Sequence, residues 1–147
     1  MGLVKDAPHQ DLTYQIIGAA IDVHNDLGPG HREEVYQGAL ASRFTEKSLS
    51  FADQVPLPVE TDKGEVVLVY LMDFVVEQVV PVEIKAQGHP LTRDDLAQVI
   101  DYLAGSQGKF QVALLINFGR PRLEHRRVFP PKQVSEHRRQ KWGQRRW

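Results

Sequence analysis

Apolar positions recur at helical spacing in the first third of the chain. Leu12, Ile16, Ala20, Val23 and Leu27 fall on one stripe, which predicts a helix from about Asp11 to Leu27. Gly28-Pro29-Gly30 ends it, because glycine suits a left-handed cap and proline cannot continue the ladder. A second helix is expected from about His31 to Lys47, with the stripe Glu33, Tyr36, Leu40, Phe44. A carboxylate heads that apolar stripe. The helix dipole favours negative charge in a first turn, and that alone would explain it.

From Phe51 the period changes to two. Val55, Leu57 and Val59 alternate with Gln54, Pro56 and Pro58, and the two prolines mark an edge strand or an extended approach. Thr61-Asp62-Lys63-Gly64 reads as a turn. Two valine-rich runs follow, Glu65 to Val76 and Val79 to Ala86, and the short Glu77-Gln78 gap predicts an antiparallel hairpin. A third helix, about Arg93 to Ala104, has Thr92 as N-cap and Leu96, Val99, Ile100 and Leu103 on its apolar face. Phe110 to Phe118 is almost continuously apolar, as in a strand covered on both faces. A helix between two such strands predicts a parallel, right-handed crossover. Arg126 to Phe129 could add a short strand. The expected fold is α/β, a mixed four-stranded sheet flanked by helices.

With 147 residues, 41% hydrophobic and 25% charged, the chain is one ordinary globular domain. It has no cysteine, which excludes disulfide scaffolds, Cys-type zinc fingers and thiol nucleophiles. No apolar run reaches the length of a membrane helix, and MGLVKDAPHQ lacks the apolar core of a secretory signal, so no membrane and a cytoplasmic location are expected. The net charge of -1 conceals a division. Residues 1–119 carry eight Lys/Arg against seventeen Asp/Glu, and residues 120–147 carry ten against two. The expected organisation is a lead-in over 1–10, a folded unit over 11–129 and a basic tail over 130–147. The tail, with Arg138-Arg139, Lys141, Arg145-Arg146, Trp142 and Trp147, mixes guanidinium and indole, which can neutralise phosphates and stack on bases. A solvated extension and a helix docked on the acidic body or a second subunit are the other readings.

The chemistry concentrates on the hairpin. Alternation puts Glu83 and Lys85 on one face of their strand, with Val82 and Ile84 on the other. The hairpin folds Asp73 back towards Glu83. Two carboxylates so placed repel unless a cation lies between them, and hard oxygen ligands select Mg²⁺ or Mn²⁺. A cross-strand ion pair of Lys85 with Asp73 or Glu83 is the simpler alternative. Gln98 and Tyr102, four apart, share a helical face that looks either into this site or out to water. The six histidines are scattered and expected on surfaces or loops.

Gly30-His31-Arg32-Glu33-Glu34-Val35-Tyr36 has the form G-x-x-E-x-x-Y. With its flanks IIGAAIDVHNDLGPG and LLINFG, the sequence over about 11–129 resembles the GxxExxY proteins, a branch of the PD-(D/E)xK nuclease superfamily. The resemblance implies a restriction-endonuclease-like αβββαβ core with an extra N-terminal helix. It implies that Asp73 and Glu83, with the Ile84 carbonyl, hold Mg²⁺ or Mn²⁺. It makes Glu33 the acidic residue of the first core helix, which would bind the ion directly or through water. It makes Lys85 the superfamily lysine, which would have a positioning and electrostatic role. Gln98 and Tyr102 resemble the Q-x-x-x-Y element of RecB-type nucleases and would touch nucleic acid or brace the site; Arg138 and Arg139 are further candidates for binding it. The implied function is metal-dependent hydrolysis of nucleic-acid phosphodiesters, DNA first. The alternative is a non-catalytic nucleic-acid- or partner-binding module, such as an accessory subunit in repair or defence. A second copy or another protein could be a partner. The chain departs from the family twice. Asp95 stands where a histidine is common, three residues before Gln98, and Pro81 precedes Glu83 by two, where it could bulge the strand and re-aim the glutamate.

Overall fold

The computed structural model describes residues 7–131. Helix α1 (Gln10–Leu27) and α2 (Glu33–Glu46) are followed by strands β1 (Phe51–Glu60), β2 (Val66–Val76) and β3 (Val80–Lys85), helix α3 (Arg93–Gly105), and strands β4 (Ala113–Asn117) and β5 (Glu124–Val128). The single sheet has order β1-β2-β3-β4-β5. All neighbours are antiparallel except β3 and β4, which are parallel, as a crossover through α3 requires. The expected four strands are thus five. The added one, Glu124–Val128, begins two residues earlier than the sequence suggests and pairs along its length with β4. Its charged middle hid it: an outer strand needs apolar residues on one face at most.

The sheet lies between two cores. On one side Ile16, Ala20, Val23, Tyr36, Leu40 and Phe44 of α1 and α2 pack on Phe74, Val82, Ile84, Leu114 and Ile116. On the other, Val99, Tyr102 and Leu103 of α3 pack on Met72, Ala113 and Leu115. Strict alternation would put Met72 and Phe74 on one face, yet they belong to opposite cores. The exception is local to Asp73. Residues on either side of it pair in register with β1, but Gln54, its counterpart, has φ 49° and drops out of the pairing. The face switches on both strands at this one position.

Pro81 does not break the register: it lies opposite Val75 between the pairs Phe74↔Val82 and Val76↔Val80. Pairing with β4 starts only at Val82↔Leu114, so no described partner strand needs the missing N–H on that side. His24, expected near a surface, is buried on α1, where its Nε2 meets the Arg120 carbonyl at 2.8 Å. Among the described residues, no helix is long and apolar enough to cross a membrane.

Candidate active site

The hairpin register that pairs Phe74 with Val82 brings Asp73 opposite Glu83, and there the β2–β3 ladder stops. The Asp73 carboxylate takes over the broken ladder: its Oδ2 accepts the Ile84 N–H at 2.8 Å. The N–H and C=O of one strand residue point to the same side, so the Ile84 carbonyl opens into the same gap. Both carboxylates are buried, Asp73 at 9% and Glu83 at 6% exposure. Burial, then repulsion by Asp73, pushes the Glu83 carboxyl up to about 7. Burial also raises Asp73, against the opposing effects of the Ile84 N–H, Glu83 and Lys85. The pair holds more negative charge than its surroundings balance.

Glu83 and Lys85 face α3, and the helix answers both. Tyr102 donates its hydroxyl to Glu83 Oε1 at 2.8 Å. Lys85 Nζ donates to Gln98 Oε1 at 2.8 Å, and Gln98 Nε2 donates to the Tyr102 hydroxyl at 3.0 Å. The circuit closes where Lys85 Nζ stands 3.7 Å from Glu83 Oε2. The spacing has a geometric basis. Four helical residues rise about 6 Å and two strand residues about 6.6 Å, so an i, i+4 pair on a helix can match an i, i+2 pair on a strand. Of the two directions open to Gln98 and Tyr102, the inward one is realised. Tyr102 is 1% exposed, and its hydroxyl is pushed well above its ordinary range by burial and by the Glu83 charge.

Asp95 joins from the start of α3. Its Oδ2 accepts the Thr92 N–H at 2.8 Å and the Gln87 side-chain amide at 2.8 Å, while the Thr92 hydroxyl accepts the Asp95 N–H, a complete capping box. Its Oδ1 lies 4.0 Å from Lys85 Nζ. Burial works against this carboxylate, but the bonds from Thr92 and Gln87 hold it below the usual range. The residue that departs from the family pattern therefore faces the lysine.

Glu33 is the first residue of α2. Its carboxyl is raised first by partial withdrawal from water and then by the Asp73 charge, with Lys85 opposing, so it sits within electrostatic reach of both. The motif explains its placement. Tyr36, wholly buried, donates its hydroxyl to the Gly28 carbonyl at 2.5 Å and accepts the His31 N–H at 3.2 Å, and its ring stacks on Phe118 at 4.7 Å. The tyrosine thus ties down the loop from which Glu33 starts. Gln37, one turn after Glu33, donates to the Asp73 carbonyl at 3.2 Å. Neither Gln37 nor Gln54 was singled out from the sequence. The i, i+4 spacing from Glu33 could have found Gln37; nothing local marks Gln54.

The donor set is all oxygen: two buried carboxyls that favour a shared cation, and a main-chain carbonyl. It fits a hard divalent ion that keeps several waters. Among the described residues, no three Asp, Glu or His side chains lie close enough together to hold an ion by themselves. Arg138 and Arg139 lie outside the described residues. Two clefts, one lined by Phe51, Val55, Leu57 and Phe110 and one lined by Asp22, Asp26 and Arg43, include none of the site groups.

A family model of the PD-(D/E)XK nuclease superfamily matches residues 10–128. The chain belongs to this superfamily. Its five-stranded mixed sheet between helices is consistent with the restriction-endonuclease-like fold, and PD-(D/E)XK nucleases generally use divalent metals. The match shows the superfamily and does not distinguish the GxxExxY branch within it. A solved structure, that of SSO0001, is similar at 18% identity and a TM-score of 0.48, over 71% of this chain and 56% of that one. This chain thus spans little more than half of its length. No curated protein matches.

Proposed function

We propose that this superfamily member is a divalent-metal-dependent nuclease that hydrolyses phosphodiester bonds of nucleic acid, with DNA as the first substrate to test. The observation that carries the reading is the pair Asp73 and Glu83, buried face to face where the ladder opens, beside the Lys85 ammonium. Asp73, Glu83 and the Ile84 carbonyl would hold Mg²⁺ or Mn²⁺, and Glu33 would reach it through water. When bound, such an ion supplies charge stabilisation at a phosphate oxygen and a more acidic water. Lys85 orients that water or meets the charge that develops on the phosphate. Gln98, Tyr102 and Asp95 are positioning residues: they fix the rotamers of Lys85 and Glu83. Glu33 marks the mouth through which a phosphate enters. The branch assignment to GxxExxY proteins rests on the Gly30–Tyr36 motif and its structural logic. For the basic tail, the same reading assigns Arg138 and Arg139 to the nucleic-acid backbone.

The test is incubation of purified protein with single- and double-stranded DNA, in Mg²⁺ or Mn²⁺ and with chelator. Cleavage is expected only with metal, and Lys85→Ala is expected to lower it by about a hundredfold or more. Cleavage by Lys85→Ala equal to wild type would remove the lysine from the mechanism.

A further inference from the structure

Strand β2 is longer than its inner neighbour allows. Only Phe74, Val75 and Val76 pair with β3, whereas pairing with β1 extends back to Val66. Over Val66–Leu71 the inner edge therefore has no partner strand among the described residues. No backbone bond from a described turn or loop reaches it either. One side-chain contact touches its end, the Tyr102 hydroxyl at 3.5 Å from the Leu71 carbonyl. The segment reads Val-Val-Leu-Val-Tyr-Leu, and Val66, Val67, Leu68, Val69 and Leu71 are all exposed by half or more.

The other two edges of the sheet carry the usual protection against pairing. The outer strand β1 contains Pro56 and Pro58, and β5 presents Glu124, His125, Arg126 and Arg127. The free part of β2 has no proline, no charge and no glycine. A sheet that guards two edges and leaves a third apolar and open is built to pair there.

We propose that two copies of this chain associate about a two-fold axis through antiparallel pairing of their β2 strands, centred on Val69. The occupant follows from the chemistry of the edge. An unpaired row of N–H and C=O groups calls for a strand. In self-pairing, every position between Val66 and Leu71 meets an apolar or aromatic residue and no like charges oppose each other. Nucleic acid would find no cation there. Beyond residue 131 the sequence is polar and basic, with six Lys or Arg among sixteen residues and only Val134, Trp142 and Trp147 as apolar side chains. With Pro56 and Pro58 alongside, the surface amounts to about a third of the 20–30 residues a side of a standard interface, so association is weak and rises with concentration. The register sets the two Asp73 side chains eight strand positions apart, about 27 Å, with both sites on one face of a continuous sheet.

Sedimentation of the full-length protein, from micromolar to near-millimolar concentration, tests this independently of any nuclease activity. The wild type is expected to shift from monomer to dimer, and amides of Val66–Leu71 to gain hydrogen-exchange protection as the dimer fills. Leu68→Lys and, separately, Val67→Lys should stay monomeric with unchanged circular dichroism. Their side chains point to opposite faces, so one packing defect cannot disable both. Tyr14→Lys, on the exposed side of α1, should associate like wild type. A wild type that stays monomeric, a folded Leu68→Lys or Val67→Lys that associates like wild type, or edge protection that does not change with concentration would each overturn the proposal; the last would mean that the chain's own remaining residues cover the edge.

Discussion

At the scale of single residues, the site is a compromise between burial and charge. The Glu83 carboxyl has its folded value near 7 against 4.5 for the free group. The native state therefore holds a proton that the unfolded state releases between these values. The stability this contributes is complete below about pH 4.5, falls as the pH rises and is gone above about 7; the span corresponds to a few kcal/mol. In chelator, Glu83→Gln is thus expected to make the protein more stable than wild type at pH 8, by about 1–3 kcal/mol in urea denaturation, and to flatten its pH dependence. Equal stability at pH 8 would mean that Glu83 carries no such strain. Tyr36→Phe tests the motif tyrosine. It leaves the Gly28 carbonyl and His31 N–H without their partner and should cost about 1–2 kcal/mol; it should also lower cleavage, because the loop before Glu33 loosens. The sequence made much of this scale legible. A carboxylate on an apolar stripe and two charges inside valine-rich strands are visible as violations of pattern. The switch of faces at Asp73 is not visible, because it needs a distortion at Gln54 on a different strand.

At the scale of elements, α3 acts as the clamp of the site, and two features outside the carboxylates hold it in place. One is the capping box. Thr92→Ala should cost about 1 kcal/mol while leaving most activity, because Asp95 keeps its bond from Gln87. The other is the crossing of two loops. Gly119 packs so closely on the Gln87 backbone that a Cβ would overlap it, and the wholly buried Asn117 accepts the Gln87 and Gly119 N–H groups on one oxygen. Gly119→Ala is therefore expected to destabilise by about 1–3 kcal/mol or more and to displace Gln87 from Asp95, read as a lower melting temperature together with lower cleavage. A substitution as stable as wild type would show that the loops can part freely. Elements were the most legible level. Stripes of period 3.6 and 2, the Gly-Pro-Gly stop, the hairpin and the crossover all stand where their patterns put them. Strand β5 was legible only as a fragment, since its alternation is drowned by charge, and the direction in which Gln98 and Tyr102 look became clear only from the match between helix rise and strand rise.

At the scale of the whole molecule, three layers converge on one gap in the sheet. The hairpin brings Asp73 opposite Glu83, α2 brings Glu33 from one side, and α3 brings Gln98, Tyr102 and Asp95 from the other. Because the groups come from distant parts of the chain, only a motif spanning them could announce their meeting in advance; spacing within any one element could not. The division between an acidic body and a basic end was legible in the sequence, but the tail with Arg138 and Arg139 lies outside the described residues. The central claim is that Asp73 and Glu83 share one divalent cation. Calorimetric titration of Mn²⁺ into the metal-free full-length protein tests it most directly, with Asp73→Asn as comparison because the amide oxygen can still accept the Ile84 N–H. One binding site is expected in the wild type and none of comparable affinity in Asp73→Asn. A folded wild type that binds no Mn²⁺, or an Asp73→Asn variant that binds it equally well, would contradict the account.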